Sequence, residues 1–252
     1  MATIDFKHTP FGELGIISMR GCEDISKKVD NYLMQWRDTP EAGTFIVPVE
    51  CPRFGSGEAK GVIKHTARGL DVYIICDVFN HGVTYKMYNQ VVPMSPDEHY
   101  QDLKRIIAAL GGKARRITVI MPMLYEGRQH RHTTRESLDS ALALQELVSM
   151  GVSNILTFDA HDPRIQNAIP LHGFDNVQAA YQMIKALIKA EPDIQLDREH
   201  LMFISPDEGG MNRCIYYSSV LGVEMGMFYK RRNYSVVVNE IGRAHVRTPV
   251  TY

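Results

Sequence analysis

The sequence predicts an α/β fold in which mainly parallel strands are flanked by helices. Short apolar runs rich in β-branched residues alternate along the chain with stretches in which apolar residues have helical spacing. This alternation is typical of parallel sheets, because each crossover between parallel strands usually contains a helix. Two of the apolar runs stop abruptly at carboxylates, imidazole or glycine. Ligands bind at the carboxyl ends of strands in open α/β sheets, so these endings indicate a ligand site.

Five apolar runs are too short for helices and are predicted as buried strands. They are Val72–Cys76, Ile117–Met121, Asn154–Phe158, Met202–Ile204 and Met225–Tyr229. Four segments carry helical spacing and are predicted as helices. They are Asp97–Leu110, Arg135–Met150, Asn176–Ala190 and Met211–Leu221. The polar and aromatic stretch between the first strand and the first helix, residues 79–94, is predicted as a long loop.

Composition narrows the class of protein. The 252 residues include 28 Lys and Arg against 29 Asp and Glu, so no overall field favours nucleic acid or an anionic membrane. The start of the chain lacks an apolar signal core, and no apolar run is long enough to cross a bilayer. These features predict a cytoplasmic protein with neither nucleic acid nor membrane as a partner. Four widely spaced cysteines are predicted to be reduced, buried thiols: Cys22, Cys51, Cys76 and Cys214.

Two predicted strands end in side chains that can bind a metal ion. Asn154–Phe158 runs into Asp159-Ala160-His161-Asp162, and Met202–Ile204 runs into Ser205-Pro206-Asp207-Glu208-Gly209-Gly210. Magnesium prefers oxygen ligands and keeps several waters, so one carboxylate and a substrate phosphate can complete a site. The metal candidates at these two strand ends are His161 and Asp207. The alternative for each is an ordinary hydrogen-bonding role at a turn.

Three further segments suit a phosphorylated substrate. Residues 128–135 carry three arginines, which pair with phosphate oxygens and stack on bases; a solvated basic loop and a small nucleic-acid patch are the alternatives. Phe54-Gly55-Ser56-Gly57-Glu58 suits an adenine or ribose, although a plain hairpin or bulge has the same pattern. Lys230-Arg231-Arg232 follows the strand predicted at 225–229 and suits a transferring phosphoryl group, with a solubilising basic turn as the alternative.

Taken in order along the chain, these segments resemble the ribose-phosphate pyrophosphokinase family, also called phosphoribosyl pyrophosphate synthetases. The resemblance is carried by residues 54–58, 128–129, 158–166, 205–210 and 230–232, and it extends over roughly residues 14 to 239. It implies Mg²⁺-dependent transfer of the diphosphoryl group of ATP to ribose 5-phosphate, giving phosphoribosyl pyrophosphate for nucleotide biosynthesis. It also implies a homo-oligomer for a full-length member.

The resemblance implies a role for each matched residue. The implied ATP-binding residues are Ser56, Gly57, Glu58, Arg128 and Gln129. The implied Mg²⁺-binding residues are His161 and Asp207, and the implied catalytic residues, which would contact the transferred group, are Lys230 and Arg232. The chain departs from the family pattern at Ser56 and His130, where the family usually has Asp, and in the length of the loop at 79–94.

The resemblance also implies two phosphoribosyltransferase-type domains, each with a mainly parallel sheet. Residues 1–170 are predicted as the first domain, 171–239 as an incomplete second domain and 240–252 as a tail with no matching helix or strand pattern. That tail resembles a sequencing-library adapter translated in frame and is predicted to be non-native. The acidic, glycine-rich loop that would cradle ribose 5-phosphate does not occur in the sequence. The prediction is therefore a C-terminally truncated and inactive fragment.

Two other functions stay open at this stage. A catalytically silent regulatory homologue would bind nucleotide and the active enzyme, and the departures at Ser56, His130 and the long loop agree with it. A phosphoribosyltransferase is the third possibility, and it would need the missing acidic loop even more.

Overall fold

A computed structural model describes residues 11–37, 43–238 and 241–251, with side chains described up to Phe228. The chain divides into two compact units, Met1–Gln178 and Ala179–Tyr252. Within the described ranges, no helix combines the length and the apolar composition that a membrane span requires.

The first unit contains most of the regular structure. Its elements in chain order are β1 (Leu14–Ser18), α1 (Glu23–Trp36), β2 (Val49–Glu50), β3 (Val62–Ile63), β4 (Asp71–Ile75), β5 (Thr84–Met87), β6 (Gln90–Pro93), α2 (Pro96–Leu110), β7 (Arg116–Met121), α3 (Asp139–Ser149), β8 (Asn154–Phe158), a 3-10 helix (Pro163–Ala168) and β9 (Gly173–Val177). Five of the strands form one sheet in the order β1-β4-β7-β8-β9, and every neighbouring pair is parallel.

Helices cover both faces of this sheet. Strand residues such as Ile74 and Val119 share the main core with residues of α2 and α3, among them Leu103 and Leu144. Ile75 points to the opposite face, because neighbouring side chains of a strand alternate. There it packs in a second cluster with residues of α1. The predicted fold class, a mainly parallel sheet flanked by helices, is confirmed.

Local sequence signals explain where α2 begins and ends. Ser95 and Glu98 form a capping box, in which the Ser95 N–H donates to the Glu98 carboxylate at 2.8 Å and the Glu98 N–H donates to Ser95 Oγ at 3.3 Å. Pro96 occupies the first turn, where its missing N–H is not needed. Gly111 ends the helix in the left-handed conformation at φ 55°. The helix predicted from Asp97 to Leu110 is therefore confirmed.

Tertiary contacts move the starts of two predicted helices. Helix α3 begins at Asp139 instead of Arg135, because Gln129 Nε2 donates to the Ser137 carbonyl at 2.8 Å and holds that stretch as a loop. Residues 173–177 form β9, so the predicted helix Asn176–Ala190 begins only at Ala180. The division into compact units lies at Gln178, since β9 pairs with β8. The predicted domains 1–170 and 171–239 stay a prediction. β1 and α1 were not predicted.

The predicted loop at 79–94 contains a β-hairpin. β5 and β6 pair from Thr84 with Pro93 to Met87 with Gln90. The turn residues Tyr88 and Asn89 both have positive φ, 46° and 66°. Two consecutive positive φ values are characteristic of a type I′ turn, whose twist matches that of the two strands.

The second unit contains α4 (Ala180–Ala190), β10 (Met202–Ser205), a 3-10 helix (Glu208–Gly210), α5 (Met211–Leu221), β11 (Glu224–Val238) and β12 (Ile241–Thr251). β11 pairs in parallel with β10 and antiparallel with β12. The prediction that the tail has no strand pattern is therefore wrong for residues 241–251. The unpaired N–H and C=O groups along the open edge of β11 explain the pairing, because a following segment can satisfy them whatever its side chains are.

We expect Gly61→Ala to destabilise the first unit. A Cβ on Gly61 would lie 2.5 Å from the backbone carbonyl oxygen of Arg105 in α2, so the backbone must move. Overpacking of this kind costs about 1–3 kcal/mol. Thermal denaturation should show a lower Tm. Gly55→Ala is the matched control, because a Cβ on Gly55 would meet no atom within 4 Å; equal Tm values for the two variants would contradict the packing argument.

We also expect one fast-reacting thiol. Cys22, Cys51 and Cys76 are buried, whereas Cys214 is partly exposed. Burial raises the pKa of Cys22 and of Cys51 to about 11, so both stay protonated and unreactive near neutral pH. Titration with a thiol reagent at pH 8 should therefore give a single fast phase that Cys214→Ser abolishes. A fast phase that survives in Cys214→Ser would show that a buried thiol is accessible.

Candidate functional site

The glycine loop, residues Phe54–Glu58, is a tight turn on the surface of the first unit. Phe54 N–H donates to the Glu58 carbonyl at 2.7 Å and Gly57 N–H donates to the Phe54 carbonyl at 2.9 Å. Gly57 has φ 92°, a conformation that L side chains rarely adopt. Ser56 Oγ donates to the Glu58 carboxylate at 2.9 Å, and both side chains are exposed. The loop therefore presents a hydroxyl and a carboxylate to solvent.

A buried ion triad fixes the base of the glycine loop. The Asp102 carboxylate of α2 accepts from Arg53 at 2.8 Å and from Arg105 at 2.6 Å. The side chains of Arg53 and Asp102 are only 8% and 4% exposed, so both charges need an oppositely charged partner. Arg53 Nη1 also donates to the Gly57 carbonyl at 3.1 Å. Sequence reasoning missed this triad, because an arginine 49 positions from its partner carries no local signal.

The predicted Arg128-Gln129 pair lies in the loop after β7. Arg128 is exposed. Gln129 forms hydrogen bonds within the loop. Its side-chain Nε2 donates to the Ser137 carbonyl at 2.8 Å, and its backbone carbonyl accepts from Ser140 N–H at 3.3 Å. The loop is thus closed by Gln129 and offers Arg128 to solvent.

The turn after β8 brings His161 to the loop after β7. Asp159 leaves the strand in the left-handed conformation at φ 45°, and Ala160 N–H donates to Asn176 Oδ1 of β9 at 2.9 Å. The rings of His130 and His161 then meet edge to face, with centroids 5.2 Å apart. His130 Nδ1 also lies 3.1 Å from the Asp162 carboxylate. The structure therefore brings His130, which directly follows the predicted pair 128–129, into contact with the predicted segment 159–162.

Arg164 and burial determine the charges of Asp162 and His130 near neutral pH. The Arg164 guanidinium donates to both oxygens of Asp162 and holds the pKa of that carboxyl well below its usual range. Burial lowers the pKa of His130, and the Asp162 carboxylate acts in the opposite direction. Near neutral pH, an anionic Asp162 thus faces a largely neutral His130 at the wall of a cavity of about 570 Å³. The sequence analysis identified His130 only as a position where the family usually has Asp, and it predicted no contact with His161 or Asp162.

In the second unit, the Asp207 side chain stabilises the turn in which it lies. Its carboxylate accepts from Gly210 N–H at 3.1 Å and caps the 3-10 helix that follows. Ser205, which is buried, donates its hydroxyl to the Asp207 carbonyl at 2.6 Å. A Cβ on Gly210 would lie 2.7 Å from that hydroxyl oxygen, so the turn requires glycine there. The hydrogen-bonding alternative for Asp207 is therefore realised, and its metal-binding role stays a prediction.

Lys230 and Arg232 lie within β11, not beyond its end as the apolar run predicted. Their backbones pair with Val246 and Ala244 of β12. Their side chains fall outside the described part of the structure, so the predicted catalytic role stays a prediction.

The chain is similar to known proteins over most of its length. A family model described as the N-terminal domain of ribose phosphate pyrophosphokinase matches residues 14–151. The ribose-phosphate pyrophosphokinase of Maricaulis maris is 26% identical over 234 residues, which are 91% of this chain and 66% of that protein. The corresponding protein of Bacillus cereus is 28% identical over 242 residues, 94% of this chain and 67% of its own length. The chain thus spans about two thirds of the length of these relatives.

The fold has a counterpart among solved structures. The crystal structure of phosphoribosylpyrophosphate synthetase from Mycobacterium smegmatis superposes with a TM-score of 0.67 at 18% sequence identity, and the match covers 92% of this chain and 67% of that one. At 18% identity this match shows that the two proteins share a fold, and nothing beyond the fold.

We expect Asp162→Asn to lower the pKa of His130 further. The Asp162 carboxylate favours the charged imidazolium, so its neutralisation removes the one contribution that opposes burial. An NMR pH titration of the histidine ring protons measures the change. Asp197→Asn is the control, because it removes a different aspartate, 2.8 Å from His200. An unchanged or higher pKa of His130 in Asp162→Asn would show that the pair at 3.1 Å does not form in solution.

Proposed function

This chain belongs to the ribose-phosphate pyrophosphokinase family, and on that premise we propose that it binds ATP and Mg²⁺ for diphosphoryl transfer to ribose 5-phosphate. In this reaction the 1-hydroxyl oxygen of the sugar forms a bond to the β-phosphorus of ATP, the bond from that phosphorus to the α,β-bridging oxygen breaks, and AMP leaves. The hydroxyl proton is released, and the product is phosphoribosyl pyrophosphate.

The observation that carries the proposal is the meeting of two loops at one edge of the first sheet. The loop after β7 contains Arg128 and His130, and the ring of His130 lies 5.2 Å from that of His161 in the turn after β8. The exposed guanidinium and the exposed imidazole on these two segments suit a metal-complexed triphosphate, because arginine pairs bidentately with phosphate oxygens.

The side chains proposed to hold magnesium are His161 and Asp207. In the described ranges, no group of three or more His, Cys, Asp or Glu side chains is placed to hold an ion. Magnesium usually keeps several waters and takes one or two carboxylates together with substrate phosphates. His161 and Asp207 would each provide one contact to an ion. Bound magnesium would neutralise charge on the β- and γ-phosphates.

The remaining residues would position the substrate and balance charge. Arg128 would bind the phosphates, while the hydroxyl of Ser56 and the carboxylate of Glu58 would hydrogen-bond the nucleoside. Lys230 and Arg232 would neutralise the negative charge that develops on the transferring group. Phosphoryl transfer leaves little covalent work to the protein, so positioning and charge stabilisation account for most of the rate.

A catalytically silent nucleotide-binding homologue is the second candidate. It is favoured by His130, which stands where the family usually has Asp and pairs internally with Asp162 at 3.1 Å. Both candidates bind ATP, and only the first forms AMP in a reaction that depends on ribose 5-phosphate. The predicted truncation would by itself prevent AMP formation, so AMP is measured chromatographically for a full-length protein that contains this sequence, after incubation with Mg²⁺, ATP and ribose 5-phosphate. ATP binding without AMP formation by that protein supports the second candidate.

We expect Arg128→Ala to weaken Mg²⁺-dependent ATP binding about tenfold or more, because a charge-assisted hydrogen bond to phosphate contributes about 1.5–3 kcal/mol. Isothermal titration calorimetry with and without Mg²⁺ measures the affinity. Lys113→Ala is the matched control, since Lys113 is also an exposed cation but precedes β7, at the opposite end of that strand. Equal affinities of Arg128→Ala and Lys113→Ala would place the phosphates elsewhere.

A further inference from the structure

The tip of the hairpin β5–β6 has a feature that the proposed function leaves unexplained. Tyr88 is 75% exposed and adopts φ 46°. The two central positions of a type I′ turn favour glycine, asparagine and aspartate. A tyrosine there costs roughly 1–2 kcal/mol, because its Cβ approaches the following carbonyl oxygen. Residues with strained backbone cluster at ligand-binding sites, so an exposed aromatic residue in this conformation indicates a binding role.

The tip is attached to the glycine loop. Tyr88 N–H donates to the Gly55 carbonyl at 2.9 Å. A Cβ on Gly57 would lie 3.0 Å from Met87 Sδ and 3.5 Å from Tyr85 Cε2, so the two segments are in close contact. Phe54, the residue before Gly55, is 55% exposed. Two exposed aromatic side chains therefore adjoin Gly55, one through the peptide bond and one through a hydrogen bond.

The base of the hairpin holds the tip in place. The Tyr85 hydroxyl donates to the carboxylate of Glu98, which itself caps α2. The guanidinium of Arg53 lies 4.6 Å from the centre of the Tyr85 ring. Arg20, in the loop after β1, donates to the Thr84 carbonyl at 2.8 Å. These contacts arrange the hairpin before any ligand binds, which reduces the entropy lost on binding.

We propose that Tyr88 is a nucleobase-binding residue, whose ring stacks on the base of the nucleotide at the glycine loop. The inference rests on the proposed function, because it takes Phe54–Glu58 as the nucleotide loop. Every nucleobase has an aromatic face, and base stacking on an aromatic side chain does not depend on which base is present. The exposed carboxylate of Glu58 and hydroxyl of Ser56 lie on the same loop and supply the polar contacts that stacking lacks.

The test compares two ligands that share phosphates and differ in the base. Affinities for Mg·ATP and for Mg·tripolyphosphate are measured by calorimetry on the 252-residue chain and on Tyr88→Gly, Tyr88→Phe and Val91→Ala. Val91 is the matched control, because it is 65% exposed on β6 of the same hairpin. Tyr88→Gly suits the positive φ and relieves strain, so its Tm should equal or exceed that of the parent chain.

The expected result is a loss of about tenfold in ATP affinity for Tyr88→Gly, from base stacking of about 1–3 kcal/mol, with unchanged tripolyphosphate affinity. Tyr88→Phe and Val91→Ala should bind both ligands as the parent does. Unchanged ATP affinity in Tyr88→Gly overturns the inference, and so does an equal loss for both ligands. A change in sedimentation with unchanged ATP affinity overturns it as well, since the ring would then contact a second copy. A parent chain that binds neither ligand overturns the proposed function itself.

Discussion

The parallel direction of the five strands is the constraint on which the first unit depends. Because β1, β4, β7, β8 and β9 all run the same way, their carboxyl ends lie along one edge, and the segments that follow β7 and β8 must emerge side by side. The contact between His130 and His161 is a direct result. Both faces of the sheet are covered by helices, so these polar side chains can gather only at the edge, where water and ligands have access.

A second requirement, the pairing of buried charge, places the glycine loop. Asp102 and Arg53 are nearly inaccessible to water, and leaving either alone would be strongly destabilising. The pair therefore ties the segment before Gly55 to α2. Glu98 of the same helix accepts a hydrogen bond from the Tyr85 hydroxyl. Helix α2 therefore anchors both the glycine loop and the hairpin beside it. One helix thus orders two exposed segments that have little core of their own.

Strained backbone occurs where these segments must turn sharply. Asp159 adopts φ 45° directly after β8, and Tyr88 adopts φ 46° at the hairpin tip. Neither residue type favours the left-handed region as glycine does, and the surrounding hydrogen bonds to Val177 and Gly55 hold each in place. In the second unit, the turn of Asp207 has a steric constraint and no left-handed strain at Gly210, because a Cβ there would lie 2.7 Å from Ser205 Oγ.

The sequence by itself determined the fold class, the strands Asn154–Phe158 and Ile117–Met121, helix α2 and the polar residues that follow β7 and β8. These features follow from the periodicity of apolar residues and from local capping, which neighbouring residues encode. Only the tertiary structure decided that residues 79–94 form a hairpin, that β9 joins the first sheet, that residues 241–251 pair with β11, and that Arg53 meets Asp102. Each of these depends on partners distant in sequence, and the backbone hydrogen bonds and buried charges involved leave no periodic signal in the chain.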